Sequence, residues 1–218
     1  MLVRRLTATL IAALCVTALA IQLYIAVEYA HPSGHSVGGA ILNYFSYFTI
    51  LTNLAIATAL VATAANASDA RIWNRPSANT ALAVYIIVVA TVYAALLRHL
   101  YAPSGIEFLA ERTLHFVVPA LFAGYWILLV PKGTLRLKDQ LPWLLPPAAF
   151  FAWTLVHGAL TGFYPYPFLN VAERGYPSVL WSGLLFSALF LALGTVLIIV
   201  DWLLGSLQSR WQGEIPTA

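Results

Sequence analysis

The chain has 218 residues, 61% of them hydrophobic and only 9% charged, where about 25% charged is usual for a soluble domain. That composition excludes a soluble globular domain and points to an integral membrane protein. The net charge of +3 comes from eleven Lys and Arg scattered along the chain, too sparse to track phosphates, so nucleic acid is excluded as a partner. The lone cysteine, Cys15, excludes a disulfide framework or a cysteine metal site within the chain and reads as a small buried hydrophobe.

Arg4 and Arg5 precede an Ala-rich apolar run that imitates a signal peptide. The run continues to Val27, long enough to span, so it is read as a retained first helix at roughly 6 to 27. Further spanning runs lie at roughly 41 to 65, 78 to 100, 105 to 130, 141 to 160 and 179 to 204. The fold expected is all-α, a single domain over 1–218 with six transmembrane helices. Between the first two runs, His31 and His35 flank Pro32, Ser33 and Gly34, which argues for a turn rather than a helical pair of metal ligands.

Six spans put both termini on one side. Arg4, Arg5, Arg71, Arg75, Lys132, Arg136, Lys138 and Arg210 lie on that side, against Arg98, Arg112 and Arg174 on the other, so the termini are expected in the cytoplasm. The same sorting sends all five histidines, His31, His35, His99, His115 and His157, toward the outer side together with Glu28, Glu107, Glu111 and Glu173. Asp69, Asp139, Asp201 and Glu214 fall toward the cytoplasm. Titratable chemistry belongs in the outer half.

The second span carries a polar and aromatic patch from Asn43 to Asn53, with Ser46, Thr49 and Asn53 on one face. In the fourth, Ser104 and Glu107 have the spacing of a capping box, which starts the helix near Gly105. His115 then lies about 15 Å along it, and Glu107, Glu111 and His115 share a face. Pro119 lacks the N–H that residue 115's carbonyl needs and predicts a kink. After the fifth span, Thr161 to Leu169 is too rich in proline for a helix; its aromatics form either an interfacial belt or a lid carrying Tyr164 and Tyr166. Trp126, Trp143, Trp153, Trp181 and Trp202 read as belt or packing residues.

Thr49, His115 and Glu111 are of the types that a nucleophile, its base and the group orienting that base require. The histidine takes the hydroxyl proton during attack on an ester carbonyl, and the carboxylate one turn away fixes the imidazole tautomer. Asn53, Tyr47 and Arg98 are candidate donors to the developing oxyanion. Each has a plainer reading. Membrane threonines bond back to helix carbonyls, and Glu111 has Arg112 and Arg98 within reach. His99 and His157 read as interfacial and solvated.

Three segments together carry a family resemblance: Tyr47-Phe48-Thr49, then Leu114-His115 followed by Pro119, and Gly162 to Leu169 ending Tyr166-Pro167-Phe168-Leu169. On these the chain resembles the androgen-induced and androgen-dependent TFPI-regulating proteins, and most closely their bacterial relatives, the Pr-six-Pr membrane proteins. The resemblance implies a multipass threonine hydrolase of fatty acid esters of hydroxy fatty acids, with Thr49 as nucleophile and His115 as catalytic histidine. It implies residence in the bacterial cytoplasmic membrane, membrane lipids and a lipid ester as partners, and no cofactor. Two other classes remain open: a zinc hydrolase using the outer histidines and Glu111, and a lipid-binding or transport protein whose His115 and Glu111 line a polar cavity.

Overall fold

The computed structural model describes residues 2–30, 36–65, 72–100 and 102–213, with side chains through residue 208. His31, His35, Asp69, Arg71 and Glu214 lie outside the described residues, as does the side chain of Arg210. The described residues are helical, without strands. Six helical stretches are long and apolar enough to cross a membrane: Leu2–Ala30, Phe48–Ala65, Pro76–Leu97, Gly105–Leu129, Leu137–Thr161 and Val171–Gln208.

Helix α1 (Leu2–Ala30) packs along α3 (Phe48–Ala65) and is joined to it by α2 (Val37–Tyr44). Helix α4 (Pro76–Val92) stands at the centre, with α3, α6 (Val118–Leu129) and α8 (Val171–Gly213) around it. Its run from Asn79 to Ile86 is buried without a break, the signature of a helix enclosed on all sides. The Trp126 indole donates to Thr80 at 2.8 Å and the Tyr85 hydroxyl to the Trp143 carbonyl at 2.6 Å. These two tryptophans therefore pack in the interior and make no belt, because each buried N–H or carbonyl finds a partner there.

Two departures from the expected helices shape the molecule. The second span is not continuous from 41 to 65: the chain breaks at Phe45–Tyr47, where Ser46 donates to the Leu42 carbonyl at 2.8 Å and accepts the Trp153 indole N–H at 2.9 Å. The side chain thereby holds the chain in a turn with neither proline nor glycine. The fourth span widens into a π-turn at Thr113–Val117 between α5 (Gly105–Arg112) and α6, and α4 ends in another π-turn at Tyr93–Leu97. Its helix starts at Gly105 as expected, but the Ser104 hydroxyl caps nothing. Gly105 adopts φ +56°, a left-handed turn that points the first helical peptides away from that hydroxyl.

At the end of the bundle opposite these breaks, Arg4 donates to Tyr125 at 3.1 Å and to Asn74 at 3.4 Å. Asp201, 1% exposed, accepts the backbone N–H groups of Gly133, Thr134 and Leu135 on one oxygen at 3.0–3.1 Å. Lys132 donates to the Trp126 and Val130 carbonyls beside it. Gly133 and Gly205 approach so closely that a Cβ on Gly205 would overlap the Gly133 backbone.

Candidate functional site

Because the second span breaks, Thr49 lies in the first turn of α3 instead of well inside a longer helix. The first helical bond of α3 runs from the Leu51 N–H to the Tyr47 carbonyl, so the N–H groups of Phe48 and Thr49 have no partner within the helix. The Tyr166 hydroxyl oxygen takes that of Thr49 at 3.4 Å. It reaches α3 from the segment between α7 (Leu145–Thr161) and α8, where the short 3₁₀ turn Pro167–Leu169 folds the chain over the bundle. Tyr166 stacks on Phe168 and meets the Tyr47 ring edge-on at 5.8 Å.

The Thr49 hydroxyl lies 3.3 Å from His115 Nε2 and 3.5 Å from the Tyr166 hydroxyl. His115 Nδ1 lies 2.9 Å from the backbone carbonyl of Glu111. A carbonyl can only accept, so Nδ1 carries the proton and Nε2 is left bare to accept from Thr49. The polar chain then has one direction. Tyr166 O–H donates to Thr49 Oγ1, Thr49 O–H to Nε2, and Nδ1–H to the carbonyl. Burial pushes the Tyr166 phenol up to about 12, so it keeps its proton at any physiological pH.

The expected role of Glu111 is thereby corrected. Its main-chain oxygen, not its carboxylate, fixes the tautomer. Tyr93 stacks on the His115 ring with centroids 4.0 Å apart and planes 22° apart. Nor does Glu111 pair as its sequence neighbours suggested. Arg112 lays its guanidinium over Phe108 and Phe116, 4.9 and 5.3 Å from their centroids, and Arg98 is exposed beyond the π-turn of α4.

Asn53 is no oxyanion donor either. Its amide donates to the carbonyls of Thr49 at 2.9 Å and Leu114 at 3.4 Å. The Leu114 carbonyl is free because the Val118 N–H bonds Thr113 in the π-turn and the next residue, Pro119, has no N–H. The kink expected from Pro119 thus takes the form of a π-turn, and it orphans the carbonyl of Leu114, which Asn53 then ties to α3. Cys15 completes the brace, its Sγ 3.3 Å from the Asn53 carbonyl.

Of the remaining candidates, Tyr47 lines a cavity beside Thr49, whereas Tyr164 packs where Gly158 leaves no side chain and anchors the folded-over segment. Arg98 and Tyr164 line neither cavity described below. His157 is buried rather than solvated, bonded to Asn43 Oδ1 at 2.9 Å and stacked on Trp153; aromatic packing from α7 and the lid segment covers it. Tyr93 was hidden from sequence reading in a helix that looked uninterrupted. Among the described residues, no three metal-ligating side chains come together.

Thr49 stands where two cavities meet. One, of about 590 Å³, runs between α4, α7 and α8 and is walled by Val88, Phe150, Phe186 and Phe190. The other, of about 610 Å³, lies on the His115 side and is lined by Glu107, Glu111, Asn43 and Tyr93. Thr49 and Tyr166 line both. Compared with family models, curated proteins and solved structures, the chain matches none.

Proposed function

We propose that the protein hydrolyses a lipid ester, with Thr49 as nucleophile and His115 as general base and then acid. The observation that carries this reading is the directed contact from Thr49 Oγ1 to a bare His115 Nε2, at the junction of an apolar and a polar cavity. A fatty acyl chain fits the apolar cavity. Its rim includes the exposed Ala148, Leu180 and Leu184, so a lipid reaches it sideways from the bilayer. The family resemblance named above, with its esters of hydroxy fatty acids, agrees with the acyl half of this reading.

Thr49 Oγ1 forms a bond to the ester carbonyl carbon while its proton passes to Nε2. The carbonyl oxygen becomes an oxyanion. The N–H group of Thr49, now spent on Tyr166, that of Phe48 beside it, and the Tyr166 O–H are the donors at hand for it, at a helix N-terminus that favours negative charge. Collapse breaks the bond to the alcohol oxygen, which leaves with the proton from Nε2. Water then attacks the acyl-threonine and gives a proton to Nε2. The carbon–Oγ1 bond breaks, the fatty acid departs and Thr49 regains its proton.

The basic residues gathered at the end away from the site support an orientation with both termini in the cytoplasm and Thr49 in the outer half of a bacterial cytoplasmic membrane. The test is hydrolysis of long-chain esters by the purified protein in neutral detergent. Thr49→Ala is expected to abolish turnover with its unfolding temperature unchanged; a folded Thr49→Ala variant as active as the parent would overturn the assignment.

A further inference from the structure

The apolar cavity opens to the bilayer through a slot between α7 and α8, and the Phe151 ring crosses it. On the α8 edge Leu180, Leu184 and Ser187 line the cavity and are exposed, a stretch of about 10 Å along the helix. Ala148 does the same on α7. Between these edges the Phe151 ring reaches from α7 onto Gly183 of α8, so close that a Cβ there would stand 2.9 Å from it. Glycine weakens a helix interior; at 183 it makes room for the ring. The neighbouring Phe150 turns the other way and meets Phe48, the residue before Thr49, at 5.2 Å. The wall thus runs unbroken from the slot to the nucleophile. Among the described residues, its polar side chains are Thr49, Tyr166 and Ser187, and Ser187 spends its O–H on the Gly183 carbonyl at 2.9 Å. Along the slot itself no side-chain donor is left over for a polar ligand.

Resting on the reading of Thr49 as nucleophile, we propose that Phe151 is a specificity-determining residue that restricts the acyl half of the substrate to unbranched chains. A straight chain is thin and apolar throughout, and it lies flat against the ring on its way to Thr49. A methyl branch at mid-chain must overlap Phe151 or force α7 away from α8. Forcing an extra methyl into a filled apolar space is disfavoured. Because Phe151 lines the cavity as well as crossing the slot, its ring touches the bound chain, and the selection shows in affinity and not only in the rate of entry.

The experiment uses two uncleavable ethers with the same hydroxyl head, one with a straight hexadecyl tail and one whose tail carries methyl branches at mid-chain. Their affinities for the purified full-length protein are measured in neutral-detergent micelles by displacement of a fluorescent lipid, corrected for each ether's partition into the micelle. The straight ether is expected to bind about tenfold to a hundredfold more tightly than the branched one, and Phe151→Ala to bring the two within about threefold. Equal binding of the two by the parent, preference for the branched tail, or a ratio that survives Phe151→Ala would overturn the proposal. Should the Ala variant fail to fold, Phe151→Leu, which keeps the seam filled with a smaller side chain, decides in the same way: a lowered ratio supports the proposal and an unchanged one overturns it. Failure of the hydrolase reading shows separately, as matched esters that bind in the same order and are never cleaved.

Discussion

At the end of the bundle that carries Asp201 and Lys132, the buried charges are answered by backbone: three N–H groups on one carboxylate oxygen, two carbonyls on the ammonium. At the end that carries Thr49 and His115, the polar groups answer one another in a directed chain, and Glu111 Oε2 has no partner among the described residues. The first arrangement closes a loop onto a helix. The second holds a hydroxyl against a base and leaves capacity over. The buried polar groups at the two ends of one membrane protein thus differ in whether their hydrogen bonds are used up.

Mutations separate the two ends. The largest effect is expected for His115→Ala, which removes the proton acceptor and lowers kcat/KM for a long-chain ester by about a thousandfold, with thermal unfolding little changed. Asp201→Ala reverses that pattern: it strands the N–H groups of Thr134 and Leu135, while that of Gly133 keeps the carbonyl of residue 201, and costs about 2 kcal/mol in a detergent unfolding assay, while ester turnover per folded molecule stays the same.

Smaller effects sharpen the division within the site. Tyr166→Phe keeps the ring and deletes a donor, so kcat falls about tenfold to a hundredfold with KM little altered. Burial disfavours the phenolate and pushes its titration up to about 12; the donor form persists below that value. The alkaline side of the parent's pH–rate profile is therefore expected to show no loss from Tyr166 below about pH 11. Asn53→Ala, which unties Leu114 from α3, is expected to cost about 1 kcal/mol of stability and a few-fold in kcat. A change confined to stability would show that the brace does not set the distance from Thr49 to His115.

The six spans were legible because twenty apolar residues in a row have few other uses. Thr49, His115 and Tyr166 were legible as residue types, and the structure brings them together. What was hidden has a common cause. The break at Phe45–Tyr47 is held by Ser46 bonding Leu42 and Trp153, a partner more than a hundred residues away and no proline or glycine. Both π-turns are changes of hydrogen-bond register, which leave almost no trace in residue order beyond Pro119. Asn53 looked like a spare donor because the carbonyl it serves is orphaned only by the π-turn. Glu111 looked like the orienting carboxylate because helical spacing fixes which residues share a face but not whether side chain or main chain makes the bond.

Intact-protein and peptide mass spectrometry after reaction with an alkyl fluorophosphonate tests the nucleophile most directly. The expected result is one phosphonyl adduct per chain on the peptide containing Thr49, formed slowly in His115→Ala and absent in Thr49→Ala. An adduct on another residue, or labelling that persists undiminished in Thr49→Ala, would contradict the account.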